Sequence, residues 1–236
     1  MKPDCSKHRN IQLQILKDIY TNVGIAPCLG FKGGTAAALF YGLPRDSVDL
    51  DFDLLCKEKE IEIIETVKKI ISSYGKVIET GVKRFNLLYV ISYEPGAPKI
   101  KVEVNRRQFG SSYELKNFLS ISMLAMTKED MFANKMMAAY ERIGKTSRDI
   151  YDLWFFLENH WPINEEIIRN RSEKTVGEIS QGIIDRLEKL SNNHILDGLG
   201  DFLTEPQKDW ARAKLRTETI FLLKARQASS PKAKNR

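Results

Sequence analysis

The sequence is poor in residues that bind transition metals. Among its 236 residues are three cysteines and three histidines. The histidines are isolated from one another, and the cysteines Cys5, Cys28 and Cys56 form no CxxC pair. We therefore expect neither a disulfide framework nor a zinc site. Any bound metal should be a hard cation held by carboxylates.

Long hydrophobic runs are also missing. The longest, such as residues 36–41 and 153–157, are far shorter than the roughly 20 residues that span a bilayer. No apolar stretch follows Met1, so we expect no secretory signal, no membrane partner and a cytoplasmic location. The chain is 42% hydrophobic and 29% charged, which is typical of a globular protein with its own core.

Acidic residues are outnumbered by basic ones, 31 to 37, which gives a net charge of +6. This balance fits a polyanionic partner such as RNA, although proteins without such a partner share it. Five basic residues and no acidic one lie between Lys224 and Arg236. That basic tail, from about residue 224, either contacts RNA or is a solvated chain end.

Hydrophobic periodicity predicts an α+β fold, with a mixed β-sheet flanked by helices and then a helical domain. Strands are predicted at 26–31, 49–54, 82–93 and 100–104, and none after about residue 115. Helices are predicted around 11–19, 35–41 and 61–71, and from about 127 onward. We expect one domain over residues 1–120 and a helical domain over 121–236.

Two carboxylates lie on one face of the predicted strand 49–54. Asp49 and Asp51 are two residues apart, about 7 Å at the backbone, and can converge on a cation. Like charges so close raise the energy unless a cation compensates them. The alternative is the polar face of an edge strand. Glu103, on a later strand, is either a third metal ligand or proton acceptor, or a solvated residue paired with Lys101.

A glycine-rich turn stands just before these carboxylates. Gly33, Gly34 and Thr35 precede a predicted helix, so backbone N–H groups there can approach an oxyanion. Taken alone, the motif is explained by a strand-to-helix turn with an N-cap, which needs no ligand. Followed by the DxD strand, it places a triphosphate beside a carboxylate pair. Two divalent ions about 3.5–4 Å apart would stabilise an in-line phosphoryl displacement there.

Residues 31–53, FKGGTAAALFYGLPRDSVDLDFD, resemble the first motif of the DNA polymerase β-like nucleotidyltransferase superfamily. More narrowly, they resemble the AbiEii-type nucleotidyltransferases, which include toxins of type IV toxin–antitoxin systems. These carry a GG[ST] turn and then R-x-S-x-D-L-D-F, which is matched here from Arg45 to Phe52. The resemblance implies a nucleotidyltransferase fold in the first domain, with Lys32 and the glycine turn binding the triphosphate. Relatives often have aspartate as the third carboxylate, where this chain offers Glu103.

A second block, in the helical half, is similar to the family signature A-x-K-x-x-A…R…R-D-x-x-D-L. Lys135 and Arg142 share a helix face. This face either binds phosphates or is exposed to solvent. Asp149 and Asp152 share a face of the next predicted helix. They either take part in catalysis or belong to a structural salt-bridge network. The resemblance implies that Lys135 and one aspartate are catalytic. We favour Asp149, with Arg142 and Asp152 on the nucleotide side.

The combined prediction is a Mg²⁺-dependent enzyme, with Mn²⁺ as the alternative ion. It transfers a nucleoside monophosphate from a nucleoside triphosphate to an acceptor and releases pyrophosphate. Basic charge and the resemblance favour RNA as the acceptor, at the 3′ end of a tRNA, in a toxin with a separate antitoxin protein. Two alternatives stay open: a small-molecule, antibiotic-type nucleotidyltransferase, and a non-catalytic nucleotide- or RNA-binding module.

Overall fold

The computed structural model describes residues 5–229 and separates the chain between Thr127 and Lys128 into two units. The first unit holds helices α1 (Cys5–Thr21), α2 (Gly33–Tyr41) and α3 (Glu60–Ser72). Its strands are β1 (Leu29–Lys32), β2 (Asp49–Leu54), β3 (Lys76–Val82), β4 (Asn86–Ser92), β5 (Ile100–Asn105), β6 (Tyr113–Phe118) and β7 (Ile121–Met126).

The strands form a mixed seven-stranded sheet in the order β3-β4-β5-β2-β1-β7-β6. β2 is parallel to β5 and β1 is parallel to β7, while the other neighbours are antiparallel. The predicted fold class, a mixed sheet flanked by helices with further helices after it, is confirmed.

The antiparallel pair β1–β2 is the centre of the first unit. Phe31 lies opposite Phe52, and both side chains are fully buried with ring centroids 5.4 Å apart. Because side chains alternate along a strand, burying these rings turns the neighbouring Lys32 and Asp51 to the other face. Lys32 and Asp51 are also register partners. Packing of the apolar face therefore fixes which groups face the candidate site.

Two features of the strands differ from the sequence expectation. The single strand predicted over 82–93 is a hairpin, with β3 ending at Val82 and β4 beginning at Asn86. The absence of strands after residue 115 is wrong, because β6 and β7 form an edge hairpin. Residue 120, where the sequence suggests a domain boundary, lies in the turn between those two strands.

The third difference concerns the cysteines. Cys28 and Cys56 form a disulfide, with Cα atoms 5.0 Å apart. Cys28 precedes β1 and Cys56 follows β2, and the pairing of Leu29 with Leu54 brings these two strand ends together. The expectation of no disulfide is therefore wrong, because the contact arises from strand pairing across 28 residues.

The second unit consists of helices α4 (Lys128–Arg142), α5 (Arg148–Glu158), α6 (Glu165–Ser172), α7 (Val176–Lys189), α8 (Glu205–Trp210) and α9 (Arg216–Ser229). A π-helical turn, Ala211–Leu215, joins the last two. Phe132, Phe156 and Trp161 form its aromatic core, with the Phe156 and Trp161 rings stacked at 4.1 Å. Among the helices of residues 5–229, none is long and apolar enough to cross a bilayer.

The predicted basic tail begins inside α9. Lys224 forms an ion pair with Glu188 at 3.0 Å, and Arg226 donates to the Trp161 carbonyl at 3.0 Å. These two cations are therefore part of the helical unit. The remaining basic residues of the predicted tail, from 230 onward, lie outside the described residues.

Candidate active site

The glycine turn between β1 and α2 lies directly against the DxD strand. Gly33 has φ +79°, a backbone conformation that favours glycine. A Cβ at this position would lie 2.4 Å from the Asp51 carboxylate. At Gly34, a Cβ would lie 2.5 Å from the guanidinium of Arg45, which is itself buried. Both glycines therefore allow backbone and site side chains to approach more closely than any side chain at these positions would permit.

Thr35 links the start of α2 to the beginning of β2. It is buried, and its hydroxyl donates to the Asp49 carbonyl at 2.5 Å. The Thr35 hydroxyl is thus engaged with the backbone of the DxD strand. The first amides of a helix have no acceptor within the helix, so the N-terminus of α2 keeps donors suited to an anion.

The carboxylates of β2 stand beside charged partners on β5. Asp49 is in register with Lys101, and Asp51 with Glu103. Glu103 contacts Lys101 and accepts a hydrogen bond from Asn86 Nδ2 at 2.5 Å. Burial would lower the pKa of Lys101, but its hydrogen bond and ion pair with Glu103 raise that pKa overall.

The environment of Asp51 disfavours its charged form. Burial, followed by the negative charges of Asp49 and Glu103, raises the pKa of Asp51 to about 6, although Lys32 and Lys101 act to lower it. The site therefore concentrates more negative charge than its own lysines neutralise. A bound cation would relieve this repulsion.

The third aspartate of β2 has a different environment. Asp53 is buried and accepts from Lys32 Nζ at 2.5 Å, Asn105 Nδ2 at 2.8 Å and the Tyr113 hydroxyl at 2.5 Å. Tyr113 covers Gly30, where a Cβ would lie 2.2 Å from its ring. Lys32, predicted to bind nucleotide, is thus held beside the glycine turn by Asp53. Asn105 and Tyr113 had no motif in the sequence that would have identified them.

The second unit holds its predicted residues in one ion-pair cluster. Lys135 lies 3.0 Å from Asp149 and 2.9 Å from Asp152, and Arg142 lies 2.8 Å from the other oxygen of Asp149. Both aspartates are buried, whereas the Arg142 side chain is 51% exposed. Breaking a buried pair leaves an uncompensated charge, so this cluster is held firmly. Asp149 contacts both cations.

The sequence predicts a metal ion held by Asp49, Asp51 and Glu103. Within residues 5–229, no group of three or more His, Cys, Asp or Glu side chains is arranged to hold a metal ion. Glu103 is engaged by Lys101 and Asn86. Asp49 and Asp51 are the carboxylates of the DxD motif, and burial is the main cause of the raised pKa of Asp51, with the negative charges of Asp49 and Glu103 adding to it.

Comparisons with known proteins agree with the resemblance seen in the sequence. A family model described as the nucleotidyl transferase AbiEii toxin of type IV toxin–antitoxin systems matches residues 14–220. The chain is similar to a candidate nucleotidyltransferase from H. pylori at 20% identity and TM-score 0.59, covering 98% of this chain and 99% of that one. It is also similar to JHP933 from Helicobacter pylori at 19% identity and TM-score 0.53, covering 95% of each chain. No curated protein matches the sequence.

Proposed function

The chain belongs to the AbiEii nucleotidyl transferase toxin family of type IV toxin–antitoxin systems, and from that premise we propose that it transfers a nucleoside monophosphate to RNA. The acceptor hydroxyl oxygen forms a bond to the α-phosphorus of a nucleoside triphosphate. The bond between that phosphorus and the β-phosphate oxygen breaks, and pyrophosphate leaves.

One observation carries this proposal: the glycine turn is packed against the carboxylate pair. A Cβ at Gly33 would lie only 2.4 Å from the Asp51 carboxylate. A phosphate at the α2 N-terminus would therefore lie beside Asp49 and Asp51. A triphosphate and a divalent cation need this combination, since backbone amides bind the phosphate oxygens and carboxylates bind the cation.

Mg²⁺ fits the donor set, with Mn²⁺ as the alternative. Asp49 and Asp51 would hold the ion, because oxygen ligands suit hard cations and a cation would offset the repulsion that Asp49 and Glu103 add to the effect of burial on Asp51. When bound, the ion supplies charge neutralisation on the phosphates. Glu103, oriented by Lys101 and Asn86, is the proposed acceptor of the proton from the attacking hydroxyl, and a secondary ligand.

The family signature also assigns roles to residues of the helical unit. Lys135 and Arg142 would stabilise the negative charge that develops on the phosphates, as preorganised cations do. Asp149 holds both cations in place and is our choice for the catalytic aspartate over the fully buried Asp152. This assignment rests on the ion-pair geometry within the unit and on the family signature.

RNA is the proposed acceptor, specifically the 3′ end of a tRNA. The net charge of +6 favours a polyanion and disfavours polycationic acceptors such as aminoglycosides. The family also implies a separate antitoxin as a protein partner. The reaction is proposed to occur in the cytoplasm, where nucleoside triphosphates and tRNA are found together.

The test is incubation of the protein with Mg²⁺, total RNA and each triphosphate, labelled in parallel at the α- or the γ-phosphate. We expect one RNA band to retain the α-label and none to retain the γ-label. An aminoglycoside mixture serves as the competing acceptor. Label in the antibiotic alone would overturn the RNA assignment, and γ-label in RNA would replace nucleotidyl transfer with phosphorylation.

A further inference from the structure

An exposed aromatic ring stands between two arginines at the turn joining β3 and β4. Phe85 is 44% exposed. The Arg84 guanidinium lies 5.0 Å from the centre of its ring, and that of Arg107 lies 5.1 Å away. Arg107 also lies 5.5 Å from the Phe109 ring. We refer to Arg84, Phe85, Arg107 and Phe109 as the Phe85 surface.

The turn that presents this ring is fixed by a long-range contact. Arg106 donates to the carbonyls of Lys83 at 3.0 Å and Arg84 at 3.3 Å. The same guanidinium forms an ion pair with Glu60 at 2.8 Å, and the Arg106 amide donates to the Phe85 carbonyl at 2.8 Å. The ring is therefore held in a defined position, which lowers the entropy lost when a ligand stacks on it.

The Phe85 surface is also connected to the strand that carries the carboxylates. The Arg107 amide donates to Asn105 Oδ1 at 3.2 Å, and Asn105 Nδ2 donates to Asp53 at 2.8 Å. Arg107 follows Glu103 by four residues, which is about 13 Å along an extended strand. A short oligonucleotide spans that distance.

We propose that the Phe85 surface binds unpaired bases of the acceptor RNA upstream of the end that receives the nucleotide. The inference rests on the proposed function and adds the place where the acceptor is held. Bases stack on aromatic rings and on guanidinium planes, and basic side chains bind the intervening phosphates.

Charge favours RNA over a protein partner at this surface. Residues 83–85 and 106–109 contain four basic residues, Lys83, Arg84, Arg106 and Arg107, and no acidic one. Glu60 forms an ion pair with Arg106. A strongly positive patch with an exposed ring matches a single-stranded polyanion with stacking bases.

The test measures the affinity of the full-length protein for a fluorescent, unstructured oligouridylate in the absence of nucleoside triphosphate. Phe85→Ala should weaken binding about 5- to 150-fold, because stacking of one base on an aromatic ring contributes about 1–3 kcal/mol. Phe85→Trp should restore it. A blunt RNA duplex, whose bases are not available, should show no such difference.

The salt dependence of oligouridylate affinity distinguishes the contribution of the Phe85 ring from that of the neighbouring cations. Arg107→Ala should reduce the slope of log Kd against log salt concentration by about 1, whereas Phe85→Ala should leave the slope unchanged. Leu115→Ala removes another exposed apolar side chain and Lys68→Ala removes another exposed cation. Both controls should bind oligouridylate like the parent, and thermal unfolding checks that every variant is folded.

Three results would overturn the assignment, and they differ in what they say about function. Equal oligouridylate affinity for Phe85→Ala and the parent, with RNA labelling intact, would reject the Phe85 surface and leave the proposed function standing. No binding of oligouridylate by any variant, with no RNA labelling, would reject both. Equal affinity combined with self-association that Phe85→Ala abolishes would assign the surface to a protein contact.

Discussion

Replacing Gly33 with alanine should separate the chemistry of the glycine turn from its backbone strain. Gly33 and Gly42, both in the first unit, have nearly the same positive φ, +79° and +75°. A Cβ at Gly33 would lie 2.4 Å from the Asp51 carboxylate, whereas a Cβ at Gly42 would have nothing within 4 Å. The two substitutions therefore share the strain but not the collision.

The magnitudes follow from these distances. An alanine at positive φ costs about 1–2 kcal/mol, so both variants should lose at least that much free energy of unfolding, and Gly33→Ala should lose more because of the collision. For Gly33→Ala, the carboxylate of Asp51 must move by about 1 Å to reach an ordinary contact distance. A displacement of about 1 Å in a positioned group lowers the rate about 10²-fold.

The assay compares both variants with the parent in urea unfolding and in transfer of α-labelled nucleotide to RNA. We expect the larger loss of stability and a transfer rate about 10²-fold lower for Gly33→Ala, and a rate near the parent's for Gly42→Ala. Equal transfer rates for the two variants would refute the idea that the close approach of the turn to Asp51 serves catalysis.

Three further outcomes are expected. Asp53→Ala removes the shared acceptor of a lysine, an asparagine and a tyrosine, and should cost about 3–5 kcal/mol in urea unfolding; a loss within 0.5 kcal/mol, typical of surface substitutions, would show that the buried network is not structural. Because the pKa of Asp51 is raised from 3.8 to about 6, the metal-free protein should lose free energy of unfolding as pH rises through that window. Asp49→Asn should make this loss smaller, because it removes a negative charge that raises the pKa of Asp51. If the pH dependence of unfolding were unchanged in Asp51→Asn, the loss would not come from Asp51. Lys135→Ala leaves two buried carboxylates uncompensated and should cost about 3–5 kcal/mol, whereas Arg142→Ala, at a half-exposed site, should cost about 1 kcal/mol or less; equal losses would contradict the geometry.

The elements that carry local signals were predictable from the sequence. Strict alternation from Asp49 to Leu54 predicts β2 with its bounds, because burying Leu50 and Phe52 fixes the face of each aspartate. The glycine pair predicts the turn before α2, since only glycine tolerates the backbone and the close contacts there.

The elements that depend on distant contacts were not predictable. The turn between β6 and β7 uses Leu119 and Ser120 with φ of 46° and 62°, where glycine or asparagine is the usual signal. The turn at Arg84 and Phe85 contains neither glycine nor proline and is held by Arg106 from beyond β5. Hairpins of this kind leave no local pattern.

The same limit applies within the candidate site. The sequence identifies Asp49 and Asp51, but the partners that orient the site come from other strands. Tyr113 reaches Asp53 from the sheet edge, and Asn86 holds Glu103 from β4. Such contacts depend on strand order, which hydrophobic periodicity does not specify.

The central claim is that the DxD strand catalyses nucleotidyl transfer, and pyrophosphate release tests it most directly. The parent and the Asp49→Ala/Asp51→Ala double variant are each incubated with Mg²⁺, RNA and the four nucleoside triphosphates. We predict RNA-dependent pyrophosphate release, matched by labelled RNA, from the parent and none above background from the folded double variant. Equal release from both proteins would contradict the account, because the reaction would not then depend on the two carboxylates.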